Sequence, residues 1–150
     1  ESSRLMGRNG VLGIIVPIDD EEVMHDVFHG KSVHASLARA EGTDLEKGDR
    51  IIFFDSHRTH ALRGEAVIAD ISFEEAEKVL DDFGGQLCVD GADFQAYVST
   101  LPSGARSKMR LLRFKDPTMY ASPVKCDLAV AEDGTYMTAE VFAKIARGKA

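Results

Sequence analysis

Arg50-Ile-Ile-Phe-Phe-Asp-Ser-His-Arg-Thr-His-Ala-Leu-Arg-Gly-Glu-Ala-Val-Ile-Ala-Asp-Ile71 is the stretch on which the fold turns. Its first residues, Arg50 to Phe54, are β-branched and aromatic almost throughout, which suits a pleated, half-buried surface. Leu62 to Ile71 reads as a second strand with imperfect alternation. Gly64 inside it marks a bulge or a place where something approaches the backbone closely. Between the two lies Asp55 to His60, a connection in which every side chain can hydrogen-bond. Loops held by a rigid scaffold often carry function, and His57 and Arg58 could be presented there to an anion or a base edge. A solvated hairpin loop, polar because it is exposed, is the competing reading.

Working outward, Val11 to Pro17 is a short apolar run stopped by proline, the pattern of a strand buried on both faces. Asp19 or Asp20 can cap a helix running to about His29, with Val23, Met24, Val27 and Phe28 on one face and Gly30 beyond its end. Ser32 to Ser36 reads as extended, and Glu41-Gly-Thr43 and Glu46 to Asp49 as turns. Ser72 with Glu75 forms a capping box that opens a helix to about Phe83, its inner stripe Phe73, Ala76, Val79, Leu80 and Phe83. Leu87 to Val89 suits an edge strand, and Asp90 with Asp93 opens a helix to about Thr100. Lys108 to Phe114 is a strand, Met119 to Ala121 and Lys125 to Val130 are further extended segments, and Glu132 to Thr135 is a turn. A last helix spans Thr138 to Ala146. Roughly five or six strands broken by short helices, without regular β–α alternation, give an α+β domain with a mixed, barrel-like sheet.

The chain has 150 residues, 44% hydrophobic and 29% charged, the balance of one globular domain with its own core. Residues 1–10 are polar and Gly-containing and read as a flexible segment, leaving 11–150 as the domain. Cys88 and Cys126 form no CxxC pair, which fits small buried thiols in a reducing, cytoplasmic setting. No stretch has the length of apolar residues that a membrane helix needs. The net charge of −7 argues against coating nucleic acid through bulk charge but leaves a local basic groove open.

Asp55, Ser56 and His57 follow one another, but adjacent residues of an extended chain point alternately and cannot line up as a triad. His25 and His29, with His57 and His60, have spacings that can share a metal, yet no His-Glu-x-x-His motif accompanies them, so no metal and no cofactor is expected. Arg106 to Lys115 holds five basic residues and no acid. In a strand, Lys108 and Arg110 share one face and could form a groove wall for phosphates and bases. A charged edge strand guarded against aggregation is the alternative. Glu65 could pair with Arg63 or a loop cation, or accept a base amine.

Lys31-Ser-Val33, Lys47 to His57, Leu62 to Ile68 and Asp133-Gly-Thr-Tyr-Met-Thr138 together resemble an archaeal family of PUA-like domains, in the superfamily that includes ASCH and EVE domains. The resemblance implies a PUA-like pseudo-barrel with helices packed outside and a cleft between barrel and helices. It further implies binding of RNA or of a nucleotide, modified ones included, with Lys31, Ser56, His57, Gly64 and Glu65 lining or supporting the cleft. Arg58, Lys108 and Arg110 would meet phosphates. Ser36 stands near the place where a basic residue would follow Val33, which leans the implication toward binding. A small ASCH-type hydrolase or nuclease acting on nucleosides or RNA is the alternative activity, and a protein-interaction domain is the third.

Overall fold

The computed structural model describes residues 11–38, 45–89, 91–126, 129–130, 134–138, 140 and 143. Its six strands are β1 (Val11–Ile18), β2 (Val33–Leu37), β3 (Arg50–Asp55), β4 (Ala61–Glu75), β5 (Lys108–Lys125) and β6 (Thr135–Thr138). They form one sheet in the order β2-β5-β4-β3-β1-β6. Only β1 and β3 run parallel, joined by the crossover through α1 (Glu21–Asp26) and β2. Helices α2 (Ala76–Phe83) and α3 (Gly91–Ser99) complete the α+β pseudo-barrel.

The two central strands arise as their composition predicts: Ile51 to Phe54 are buried between neighbours on both sides. Asp20 caps α1 by accepting from the N–H groups of Glu22 and Val23, at 2.8 and 3.1 Å. This seats Val23, Met24 and Val27 against Ile14, Val16, Ile51 and Phe53 on one face of the sheet. Ile15, Ile52, Phe54, Leu62, Val124 and Met137 form a second cluster on the other face. The helices α2 and α3 lay Ala76, Val79 and Phe94 over Val33, Met109 and Leu111.

Curvature follows from the long pair. β4 and β5 shift register between Leu62/Gly64, Glu65/Val67 and Ile68/Asp70, and each shift adds twist. Asp116, at φ 55, and Pro117 fall in one of these gaps, so β5 continues where an uninterrupted ladder would reject proline. Between β5 and β6 lie four inter-strand steps, roughly 19 Å in a flat sheet at about 4.8 Å each. Yet Arg110 of β5 donates to the Tyr136 hydroxyl of β6 at 3.0 Å. The sheet must curl until its second and sixth strands face each other.

Three expectations need correction. Ser72 and Glu75 do not cap a helix, because β5 offers ladder partners to the very end of β4, from Ser72↔Leu111 to Glu75↔Lys108. The helix begins only at Ala76, with no side-chain cap, and Phe73 leaves the expected inner stripe to stand 47% exposed. The extended pieces Lys108 to Phe114 and Met119 to Ala121 are parts of one strand, which ends at Lys125. Thr135–Thr138, read as a turn end and a helix start, is strand β6, which pairs with β1. The segment 1–10, the Glu41-Gly-Thr turn, the Asp90 cap and most of the last helix lie outside the described residues.

What approaches Gly64 is the ring of Phe28. A Cβ at Gly64 would stand 2.5 Å from Phe28 Cζ and from the Thr118 carbonyl oxygen. Gly64→Ala should therefore destabilise the fold by about 1–3 kcal/mol, read as a lowered urea midpoint at unchanged m-value. Wild-type stability in that variant would mean that Phe28 is not seated there.

Candidate functional site

The curled sheet does not close. The free edge of β2 faces the ends of β1 and β3 across a seam, and α3 roofs it. A cavity of about 350 Å³ fills this seam, lined by Pro17 and Ile18 of β1 and Asp19 just after it, His34 and Ala35 from β2, and Ser56 after β3. Cys88, Val89, Asp93, Phe94, Tyr97 and Val130 complete the wall. That is the small end of the range for ligand pockets, and its mix of apolar walls with a few polar groups is their usual chemistry.

Local structure positions each group. The His34 and Ser36 side chains sit on the same sheet face as Leu112 and Arg110, their register partners, and are buried there. The Ser36 hydroxyl oxygen is buried without a hydrogen-bond partner. Tyr97 is fixed because its hydroxyl accepts the Leu37 N–H at 3.0 Å, tying α3 to β2. Burial pushes the Cys88 thiol up to about 12, and the charge of nearby Lys31 only partly offsets this. At neutral pH it is a thiol, which suits a wall better than a nucleophile.

The Asp55–His60 loop is built on one carboxylate. Asp55 is buried and accepts from the N–H groups of His57, Arg58 and Thr59 and from the Thr59 hydroxyl, at 2.9, 3.1, 3.4 and 2.9 Å. Arg63 reaches the same carboxylate at 3.4 Å and Glu21 of α1 at 3.3 Å. Burial alone would raise the Asp55 pKa, but the hydrogen bonds from Arg58, Thr59 and His57 outweigh it and hold the carboxyl below its ordinary value. The result is a fixed turn that points Ser56 into the cavity and leaves His57 and Arg58 exposed beside it.

The expected site residues thus separate. Ser56 lines the seam, and Lys31 lies close enough to act on Cys88 in its wall. His57 and Arg58 are exposed on the adjoining loop. Arg110 is buried inside the barrel, bonded to Tyr136 and 5.9 Å from its ring, so it braces the curl instead of standing on an outer groove wall. Lys108 is exposed at the start of β5. Glu65 turns to the opposite face with Ile52, where Arg50 donates to it at 2.6 Å and Tyr120 at 2.7 Å. Burial, reinforced by Glu65, pushes the Tyr120 phenol upward, so it remains a donor.

His25 of α1 and His29 of the turn after it stack with ring centroids 4.2 Å apart, both exposed. Among the described residues no group of three or more histidine, cysteine or acidic side chains could hold a metal ion, and no helix is long and apolar enough to cross a membrane. His34, Ala35, Asp93 and Tyr97 were not legible as site residues. Polar His34 and Ser36 alternating with Val33, Ala35 and Leu37 is the one sequence signal that pointed there.

Asp55→Ala should cost about 1–3 kcal/mol at neutral pH by stranding the loop N–H groups. Because the folded pKa lies below the ordinary 3.8, this stabilisation is present above about pH 3.8 and is lost as pH falls through the folded value. Urea titrations should therefore show the gap between wild type and variant shrinking in acid. A gap independent of pH would rule out the carboxylate as the loop's anchor.

Similarity to known proteins agrees with this architecture. Among solved structures, an ASCH protein from Zymomonas mobilis aligns with TM-score 0.71 at 12% identity, over 91% of this chain and 94% of that one. Its serine-to-alanine variant aligns with TM-score 0.73 at 13% identity, over 92% and 96%. A Pseudomonas putida protein aligns with TM-score 0.55 at 11% identity, over 92% and 99%. At such identities the likeness shows the fold, the ASCH-type, PUA-like pseudo-barrel. No curated protein matches the chain. The family model described as "Domain of unknown function (DUF365)" matches residues 11–139, and the chain belongs to that family.

Proposed function

We propose that this protein is a PUA-like module that binds RNA or a single nucleotide, modified ones included, by taking one base into the seam cavity. The observation that carries the reading is the cavity itself: about 350 Å³, with apolar walls from Pro17, Ile18 and Phe94 and with His34, Ser56 and Tyr97 among its lining. A planar base needs such a slot, with surfaces to stack on and a few convergent polar groups to fix its edge.

Phosphates fall to the cations near the seam, half-buried Lys31 and exposed Arg58, with Lys108 farther along β5. His57 stands beside Ser56 for a sugar or base contact. Glu65 and Arg110 support the scaffold from the opposite face and from inside the curl. Binding is favoured over hydrolysis because the cavity's one thiol is held protonated and its pair of carboxylates, Asp19 and Asp93, are exposed at the rim. A carboxylate that served as acid or base would instead be enclosed in the site. A cytoplasmic setting fits the free cysteines Cys88 and Cys126.

Fluorescence anisotropy with a labelled RNA should show binding at low ionic strength that weakens steeply with salt. Replacing Lys31 and Arg58 together by alanine should reduce the slope of log K against log salt by about 1–2. Absence of both RNA and nucleotide binding at low salt, with the protein folded, would sink the proposal.

A further inference from the structure

The wall that β2 gives to the cavity is a strand edge on which, among the described residues, one residue has both backbone groups open. In the β2–β5 ladder the even-numbered positions turn their backbone groups toward β5: the Ser32 carbonyl accepts from Phe114 N at 2.9 Å and Ala38 N donates to the Lys108 carbonyl at 2.9 Å. The odd-numbered ones turn away. The Val33 carbonyl accepts from Cys88 N at 3.0 Å, and Leu37 N donates to the Tyr97 hydroxyl at 3.0 Å. Ala35 lies between them in the same orientation and lines the cavity. Neither its N–H nor its C=O has a partner among the described residues.

A strand residue holds its N–H and C=O side by side, as a donor–acceptor pair that two antiparallel strands normally exchange. An added peptide strand would need alternate residues open as well, and those on either side of Ala35 are already engaged by Cys88 and Tyr97. What fits a single open pair is a small planar group with a donor beside an acceptor, the edge of a nucleobase. Asp19 and Asp93 at the rim add acceptors without donors. They favour a further amine and disfavour a phosphate in the cavity.

Resting on the base-binding reading above, we infer that the seam selects a guanine-type base. Its ring N–H donates to the Ala35 carbonyl, its O6 accepts from the Ala35 N–H, and its exocyclic amine turns toward Asp19 or Asp93. Adenine and cytosine also offer a donor beside an acceptor, but they use their one exocyclic amine in that pair and bring no separate amine to the carboxylates, and uracil has the lactam edge without the amine.

Nitrogen-15 NMR titrations with GMP, UMP, AMP, CMP and 1-methyl-GMP test this on the intact chain. GMP should bind about tenfold or more tighter than AMP and CMP, with UMP between, and 1-methyl-GMP, which lacks the ring N–H, should lose about tenfold. The Ala35 amide should shift on GMP addition and exchange more slowly with solvent. Ala35→Pro should lower GMP affinity by a similar factor, since proline removes the N–H on the side away from the ladder. The methylated ligand gives the answer even if that variant fails to fold. Equal affinity for all the nucleotides, an undiminished 1-methyl-GMP, or RNA binding with no nucleotide binding would overturn the guanine proposal while leaving RNA recognition intact. Loss of every ligand, RNA included, would overturn the underlying reading first.

Discussion

Three register shifts along the β4–β5 pairing bend the two longest strands, and the remaining structure answers to that bend. A straight ladder between strands of this length would leave a flat sheet with two exposed faces. Bulges raise the local twist, and the sheet coils until Arg110 and Tyr136, on its second and sixth strands, hydrogen-bond across the interior. Gly64 is part of the same device: it lets the Phe28 ring rest against β4 where any Cβ would collide. The interior that results is apolar through Ile14, Val16, Phe53 and Leu112, and polar where Arg110 and Tyr136 meet near Ser36 and where His34 is buried beside Leu112.

The coil stops short of closure, and the site is a consequence of that shortfall. β2 pairs with β5 on one side, and on the other meets, among the described residues, a bridge at Leu87 and the Tyr97 hydroxyl. Closing the gap with a further ladder would have satisfied Ala35 and removed the cavity. Roofing it with α3 instead leaves a slot whose wall is backbone, whose sides are Phe94 and Ile18, and whose rim carries carboxylates. Asp55 fixes the other bank. Its carboxylate gathers three backbone N–H groups and so fixes the turn that brings Ser56 to the seam.

Electrostatics separates the two polar clusters of the protein by role. Arg50, Glu65 and Tyr120 satisfy one another within 2.6–2.7 Å on the opposite face, the pattern of a structural ion pair anchored by a phenol. In the seam, by contrast, the polar groups converge on empty space. A net charge of −7 makes a diffuse attraction for nucleic acid unavailable, so any recognition there must come from short-range contacts within a Debye length.

The amino-acid sequence by itself determined the two central strands, a helix cap at Asp19 or Asp20, the α+β class and the barrel-like sheet, because these rest on local propensity and on apolar runs that any register would bury. Its resemblance to PUA-like domains extended that to the pseudo-barrel and to Ser56 in the cleft. Only the tertiary structure decided that Ser72 to Glu75 is strand and not helix cap, since ladder partners more than thirty residues away satisfy the same backbone groups that a cap would. It likewise decided that Arg110 turns inward, that Glu65 faces away from the seam, and that His34 and Ala35 border it. Which face a strand residue takes depends on bulges and on neighbours distant in the chain. An unoccupied backbone edge leaves no mark in the sequence, because alanine reads the same whether its N–H is paired or open.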